Sequence, residues 1–102
     1  MIHSALGGNT ARVTFELPSA AGAYSVTLCG DFNEWSETAT PLTRRDDGSF
    51  ATTLELPVGR RWHFRYLLDG ERWENDWAAD DYEPNLFGGM DSVVDLADTT
   101  SP

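Results

Sequence analysis

The chain has 102 residues, 40% of them hydrophobic, which is enough for one two-layer core and no second domain. Acidic residues number 17 and basic residues 7, for a formal charge of −10, and every one of those cations is arginine. Such a field repels polyanions, which excludes nucleic acid and an anionic membrane surface as partners, and the lack of lysine removes phosphate-loop NTPases and Schiff-base enzymes.

Apolar residues recur with period two along the chain, the mark of half-buried strands. The first eight residues are expected to fray. The start, Met1-Ile2-His3-Ser4, lacks the basic and apolar character of a secretory leader. Val13, Phe15 and Leu17 then alternate with Thr14 and Glu16, and Val26 and Leu28 flank Thr27. Phe50, Leu54 and Leu56 alternate with Ala51, Thr53 and Glu55. Trp62, Phe64, Tyr66 and Leu68 share one face, opposite His63, Arg65 and Leu67, and Ser92 to Leu96 forms a last strand before a polar, frayed tail. Asp46-Asp47-Gly48, Pro57-Val58-Gly59 and Asp69-Gly70 supply turns between them. No window sustains a helical repeat. Seven or so short strands separated by turns imply an all-β antiparallel sandwich, one domain over residues 1–102. No apolar run approaches the roughly 20 residues of a membrane helix.

Two segments resist this description. Asp31 to Ser36 carries Phe32 and Trp35 among turn formers, and Asn75 to Asp91 has no clear period. Trp77, Tyr82 and Phe87 argue against disorder in the second, which reads as an ordered loop covering one edge of the sandwich.

Little in the chain supports catalysis. His3 lies in a frayed end and His63 within a strand, no nucleophile elbow is present, and Cys29 has no partner. Cys29 sits in an apolar strand and reads as an inert packed thiol in a reduced, cytoplasmic compartment. Asp76, Asp80, Asp81, Glu83 and Asp91 offer hard oxygen ligands, but their order does not match a calcium loop, so they read as solvated, turn-forming charge. No metal or cofactor is expected. The aromatics say more. Four tryptophans cannot all occupy one small core. Trp62 belongs to the inward row, whereas Trp35 and Trp73 follow polar, turn-rich sequence, and an exposed indole beside hydrogen-bonding groups suits a sugar.

Leu28-Cys29-Gly30-Asp31-Phe32-Asn33-Glu34-Trp35-Ser36 resembles the GxFNxW signature of the isoamylase N-terminal, or early-set, domain. Pro41-Leu42-Thr43, Gly48-Ser49-Phe50, Leu54 to Gly59, Phe64 to Gly70 and Gly88 to Val94 continue that pattern in order over residues 10–97. The family so resembled includes the glycogen-binding modules of glycogen branching enzymes and of the AMP-activated kinase β subunit. The resemblance implies an immunoglobulin-like antiparallel sandwich with its core over about residues 10–97, a non-catalytic module, standing alone, that binds α-1,4-glucan such as glycogen. The alternative is a protein-interaction or regulatory domain of the same fold, docking in trans on a partner chain. Carried over by position, the two family tryptophans fall on Trp35 and Trp73, the basic residue on Arg65, and the polar loop on Gly89 to Asp91. Gly89 and Asp91 depart from the threonine and asparagine common in binding members, and the kinase modules have one residue fewer before the second tryptophan. Strand parity turns Arg65 outward. For Trp73 it leaves two registers: a two-residue Asp69-Gly70 turn places it on the core face, and a three-residue turn opposes it to Leu67, facing out beside Arg65.

Overall fold

A computed structural model describes residues 2–7, 9–86 and 88–97. The alternating rows fold as expected, into two antiparallel sheets packed as an immunoglobulin-like sandwich. The described strands are β1 (Ile2–Gly7), β2 (Thr10–Leu17), β3 (Val26–Gly30), β4 (Thr43–Arg44), β5 (Phe50–Pro57), β6 (Arg61–Leu68), β7 (Arg72–Glu74), β8 (Asp81–Pro84) and β9 (Met90–Asp95). One sheet runs β1-β2-β5-β4; the other runs β3-β6-β9-β8, with β7 also paired to β6. Helical structure among the described residues is confined to two 3-10 turns, Ser19–Ala21 and Asp31–Asn33.

The core forms where the inward rows meet. Ala11, Val13, Phe15 and Leu17 of β2 face Trp62, Phe64, Tyr66 and Leu68 of β6, all buried. Phe15 and Phe64 close the gap between sheets edge to face, with centroids 4.9 Å apart. Trp62 is in this core, its indole donating to the Pro57 carbonyl at 3.0 Å.

Three expectations need correcting. The start of the chain does not fray: residues 2–7 pair with β2, with a bulge between Ala5 and Gly7. The last five residues, and Phe87, lie outside the described residues. The stretch from Asn75 to Asp91 is not all loop. Asp81–Pro84 forms an edge strand on β9, and its hydrogen bonds satisfy a backbone that sequence periodicity does not reveal. Nor does Trp77 help to pack this segment, since it stands 53% exposed.

β6 organises the second sheet. One of its edges carries β3; along the other, β9 pairs residues 61–64 and β7 pairs residues 66–68, end to end. The outward side chains of β3, β6, β7 and β9 therefore meet on one open face.

Candidate functional site

The site is built on that face around Arg65. Across from Arg65 on β3 is Cys29, whose side chain also points outward by parity and is nonetheless fully buried. Burial, reinforced by the Glu37 charge and opposed by Arg65, pushes the thiol up to about 11, so it stays protonated and inert.

The turn after β6 settles the register left open by the sequence. Leu68 pairs with Arg72 and Leu67 with Trp73, a three-residue turn, so Trp73 faces out and is 41% exposed. The turn is shaped by Asp69 and Gly70, both left-handed at φ 55° and 70°. Asp69 Oδ1 anchors it by accepting from the backbone N–H groups of Tyr24 at 2.8 Å and Ser25 at 2.9 Å.

Trp35 reaches the same face from the 3-10 turn after β3. Each residue of the motif has a physical task there. A Cβ on Gly30 would lie 2.6 Å from the His63 carbonyl oxygen and 2.8 Å from the Phe32 ring, so only glycine fits. Phe32 plugs the turn into the core beside Phe15 and Trp62. Asn33 ties the turn shut: Oδ1 accepts from Gly30 N–H at 3.1 Å, while Nδ2 donates to the Leu28 carbonyl at 2.9 Å and Thr40 Oγ1 at 3.0 Å. Glu34 and Trp35 then adopt left-handed backbone, φ 58° and 57°, with Trp35 N–H donating to the Gly30 carbonyl at 2.9 Å. Asp31 holds the indole, accepting from Trp35 Nε1 at 3.2 Å.

Between the two tryptophans lies the guanidinium of Arg65, 4.8 Å from the Trp73 ring centroid and 5.9 Å from that of Trp35. Both distances are within reach of a cation–π contact. Arg65 Nε sits 3.3 Å from Asp91 Oδ1, an ion pair without the alignment of a hydrogen bond. Asp91 also accepts from Asn85 Nδ2 at 3.0 Å. Trp35, Arg65, Trp73 and Asp91 thus line one open cleft of about 440 Å³, within the range of small-molecule sites. Gly89 does not line it. Its N–H donates to Asn85 Oδ1 at 3.1 Å and its carbonyl accepts from Asn85 N–H, so it shapes the loop that carries Asn85.

Five further residues complete the cleft: Asp31, His63, Pro84, Asn85 and Leu86. Asp31 was visible as a motif residue, but its tie to the indole was not. His63, which reads from sequence as a plain surface strand residue, is bridged on both ring nitrogens. Nδ1 lies 3.0 Å from Asp31 Oδ2, which also accepts His63 N–H at 2.9 Å, and Nε2 meets Glu83. Burial disfavours charge on both partners, but these hydrogen bonds outweigh it, holding Asp31 below the usual carboxylate range and His63 above its ordinary value. Asn85 and Leu86 carry no local signal, since pairing of β8 with β9 positions them.

Apart from Asp91, the acidic residues of the 75–91 stretch serve the fold. Asp76 accepts from the Tyr66 hydroxyl at 2.6 Å and from Ala78 N–H at 2.7 Å, Asp80 from Asp95 N–H, and Asp81 from Arg61. Among the described residues, no group of three or more histidine, cysteine or carboxylate side chains could hold a metal ion, and no helix is long and apolar enough to cross a membrane.

A neutral, hydroxylated ligand suits this cleft. Two indoles offer flat apolar faces to C–H groups, a guanidinium donates, and Asp91 and Asn85 add an acceptor and an amide. Residues 12–100 match the family model described as the glycogen recognition site of AMP-activated protein kinase. Over 41 residues, 40% of this chain, the sequence is 49% identical to a 1,4-alpha-glucan branching enzyme of Aquifex aeolicus (strain VF5). That match spans 6% of the enzyme.

Proposed function

Since the chain belongs to the family of AMP-activated protein kinase glycogen-recognition modules, we propose that it binds α-1,4-glucan without catalysis, in the cleft formed by Trp35, Arg65, Trp73 and Asp91. The observation that carries the reading is the Arg65 guanidinium flanked by two indoles on one outward sheet face. An α-glucan chain presents just such alternating chemistry, with apolar C–H patches for the rings and hydroxyls for the guanidinium and Asp91. Gly89 acts in this reading through Asn85, by holding the loop beside the cleft. The module functions as one domain, in the cytoplasm; a single buried thiol with no disulfide partner fits a reducing compartment.

Affinity electrophoresis in a glycogen-containing gel tests the proposal. Glycogen should retard the wild type strongly and Trp35→Ala much less. Equal mobility of the wild type with and without glycogen would remove the glucan reading and leave docking on a partner chain. Retention of both Trp35→Ala and Trp73→Ala equal to that of the wild type would move the site off this face.

A further inference from the structure

The most exposed of the four tryptophans is not in the cleft described above. Trp77 lies at the corner after β7, where the chain leaves the open sheet face and crosses the seam between the two sheets. It walls a second cleft, of about 390 Å³, that shares no lining residue with the first.

This corner is rigid on both sides of the indole. Asp76 is 2% exposed; its N–H donates to Ser92 Oγ at 2.8 Å, its Oδ1 accepts from Ala78 N–H at 2.7 Å, and its carbonyl accepts from the Tyr82 hydroxyl. Its Oδ2 receives the hydroxyl of core residue Tyr66 at 2.6 Å. The backbone is thus pinned to both β6 and β9 while the Trp77 side chain is left 53% in water. A floppy loop would fold its indole down onto apolar surface. A pinned one presents it.

The facing wall comes from the other sheet and sets polar groups beside Leu17 and Pro18. Arg45 ion-pairs with Glu16 at 2.8 Å, and Asp47 accepts from Ser49 N–H at 2.9 Å and Ser49 Oγ at 2.6 Å. The carboxylates of Glu16 and Asp47 disfavour an anionic ligand, and a wholly apolar one would strand these polar groups beside Leu17, Pro18 and Ala78. Glu16 and Asp47 already have protein donors, which blunts their pull on a cation, yet they keep lone pairs that accept hydroxyls, whereas the buried Asp76 is committed to the fold. One aromatic face opposite a row of hydroxyl acceptors is the chemistry of a neutral sugar.

We propose that the Trp77 cleft is a second α-glucan site, on the sandwich seam, engaging another chain of the same polysaccharide. This rests on the glucan reading of the first cleft. Its consequence is avidity: a branched polymer that fills both clefts is retained more strongly than a short oligosaccharide that fills one.

Indole N–H resonances of the ¹⁵N-labelled full chain, titrated with maltoheptaose, separate the possibilities. The Trp77 signal is assigned through Trp77→Ala, a surface change that leaves folding intact, checked by melting. The proposal expects Trp77 to shift and saturate, and to do so still in Trp35→Ala. Trp77→Ala should leave maltoheptaose affinity at the first cleft within about twofold while weakening retention in glycogen gels by about tenfold or more. Shifts of Trp35 and Trp73 with a silent Trp77 would overturn the second site alone. Silence of all three would overturn the glucan reading itself.

Discussion

Neutral imidazole carries one N–H and can donate to Asp31 or to Glu83, whereas imidazolium donates to both. The stability of the module should therefore depend on pH through His63. Burial works against the charged ring, but hydrogen bonds and attraction from Asp31 and Glu83 prevail, so the folded pKa lies above the ordinary value. A raised folded pKa contributes stability that is fully present below the unfolded pKa of about 6.5 and is lost as pH rises through the folded value. The loss is one charge-assisted hydrogen bond, worth about 1.5–3 kcal/mol when shielded. The His63 and Glu83 side chains are 32% and 39% exposed, which screens the pair and brings the figure to about 1 kcal/mol. For a domain of this size that corresponds to about 4–8 °C in Tm. Melting curves of the wild type should fall by that amount between about pH 5.5 and pH 8.5, relative to His63→Gln, which has no proton to lose there. Proton NMR of the His63 ring should give a pKa above about 6.5. Parallel pH slopes for wild type and His63→Gln, or a ring pKa at or below that value, would refute the bridged-imidazolium picture. Asp31 acts with the opposite sign: its depressed pKa adds stability above the usual carboxylate range that is lost as pH falls through the folded value.

Arg65→Ala should stay folded and lose maltoheptaose affinity by about ten- to hundredfold in isothermal titration, the worth of one shielded charge-assisted hydrogen bond; unchanged affinity would displace the site from this face. Asn33→Ala strips the side-chain partners from Gly30 N–H and the Leu28 carbonyl, so it should cost about 2–3 kcal/mol and lower Tm by about 10 °C or more. Glucan binding should change little between low and moderate salt, because a neutral ligand releases no counterions; a steep salt slope would point to a charged partner.

The parts of the fold most legible in sequence are those with a two-residue period and one wet face. β2, β5 and β6 alternate because one side of each is core, whereas β3 and β9, each with three consecutive buried residues, are legible as short apolar runs. β4, β7 and β8 escaped such reading, being two to four residues long with few buried side chains. Their existence depends on partners distant in sequence, as Asp81 to Pro84 depends on β9. The site divides the same way. Trp35 and Arg65 follow from motif and parity, while Asp31, His63 and Asn85 take their roles from contacts with residues brought together only by folding.

Trp73 shows how narrow that margin is, because one residue of turn length decides whether it faces core or solvent. The structure resolves this at a backbone exception. Among the described residues, three non-glycine positions have positive φ: Glu34, Trp35 and Asp69. Each such residue costs on the order of 1 kcal/mol or more, and persists where surrounding contacts over-determine it. Glu34 and Trp35 are fixed by the Asn33 brace and by the Asp31 bond to the indole. Asp69 is fixed by two backbone donors from the segment before β3. The first exception delivers Trp35 to the outer face, and the second sets the turn that delivers Trp73 to the same face, on either side of Arg65. The backbone exceptions thus sit at the two turns that place an indole on the outer face. The same turns pack Phe32 against the core and close the β6–β7 hairpin, so one set of contacts both completes the fold and sets the two rings on either side of Arg65.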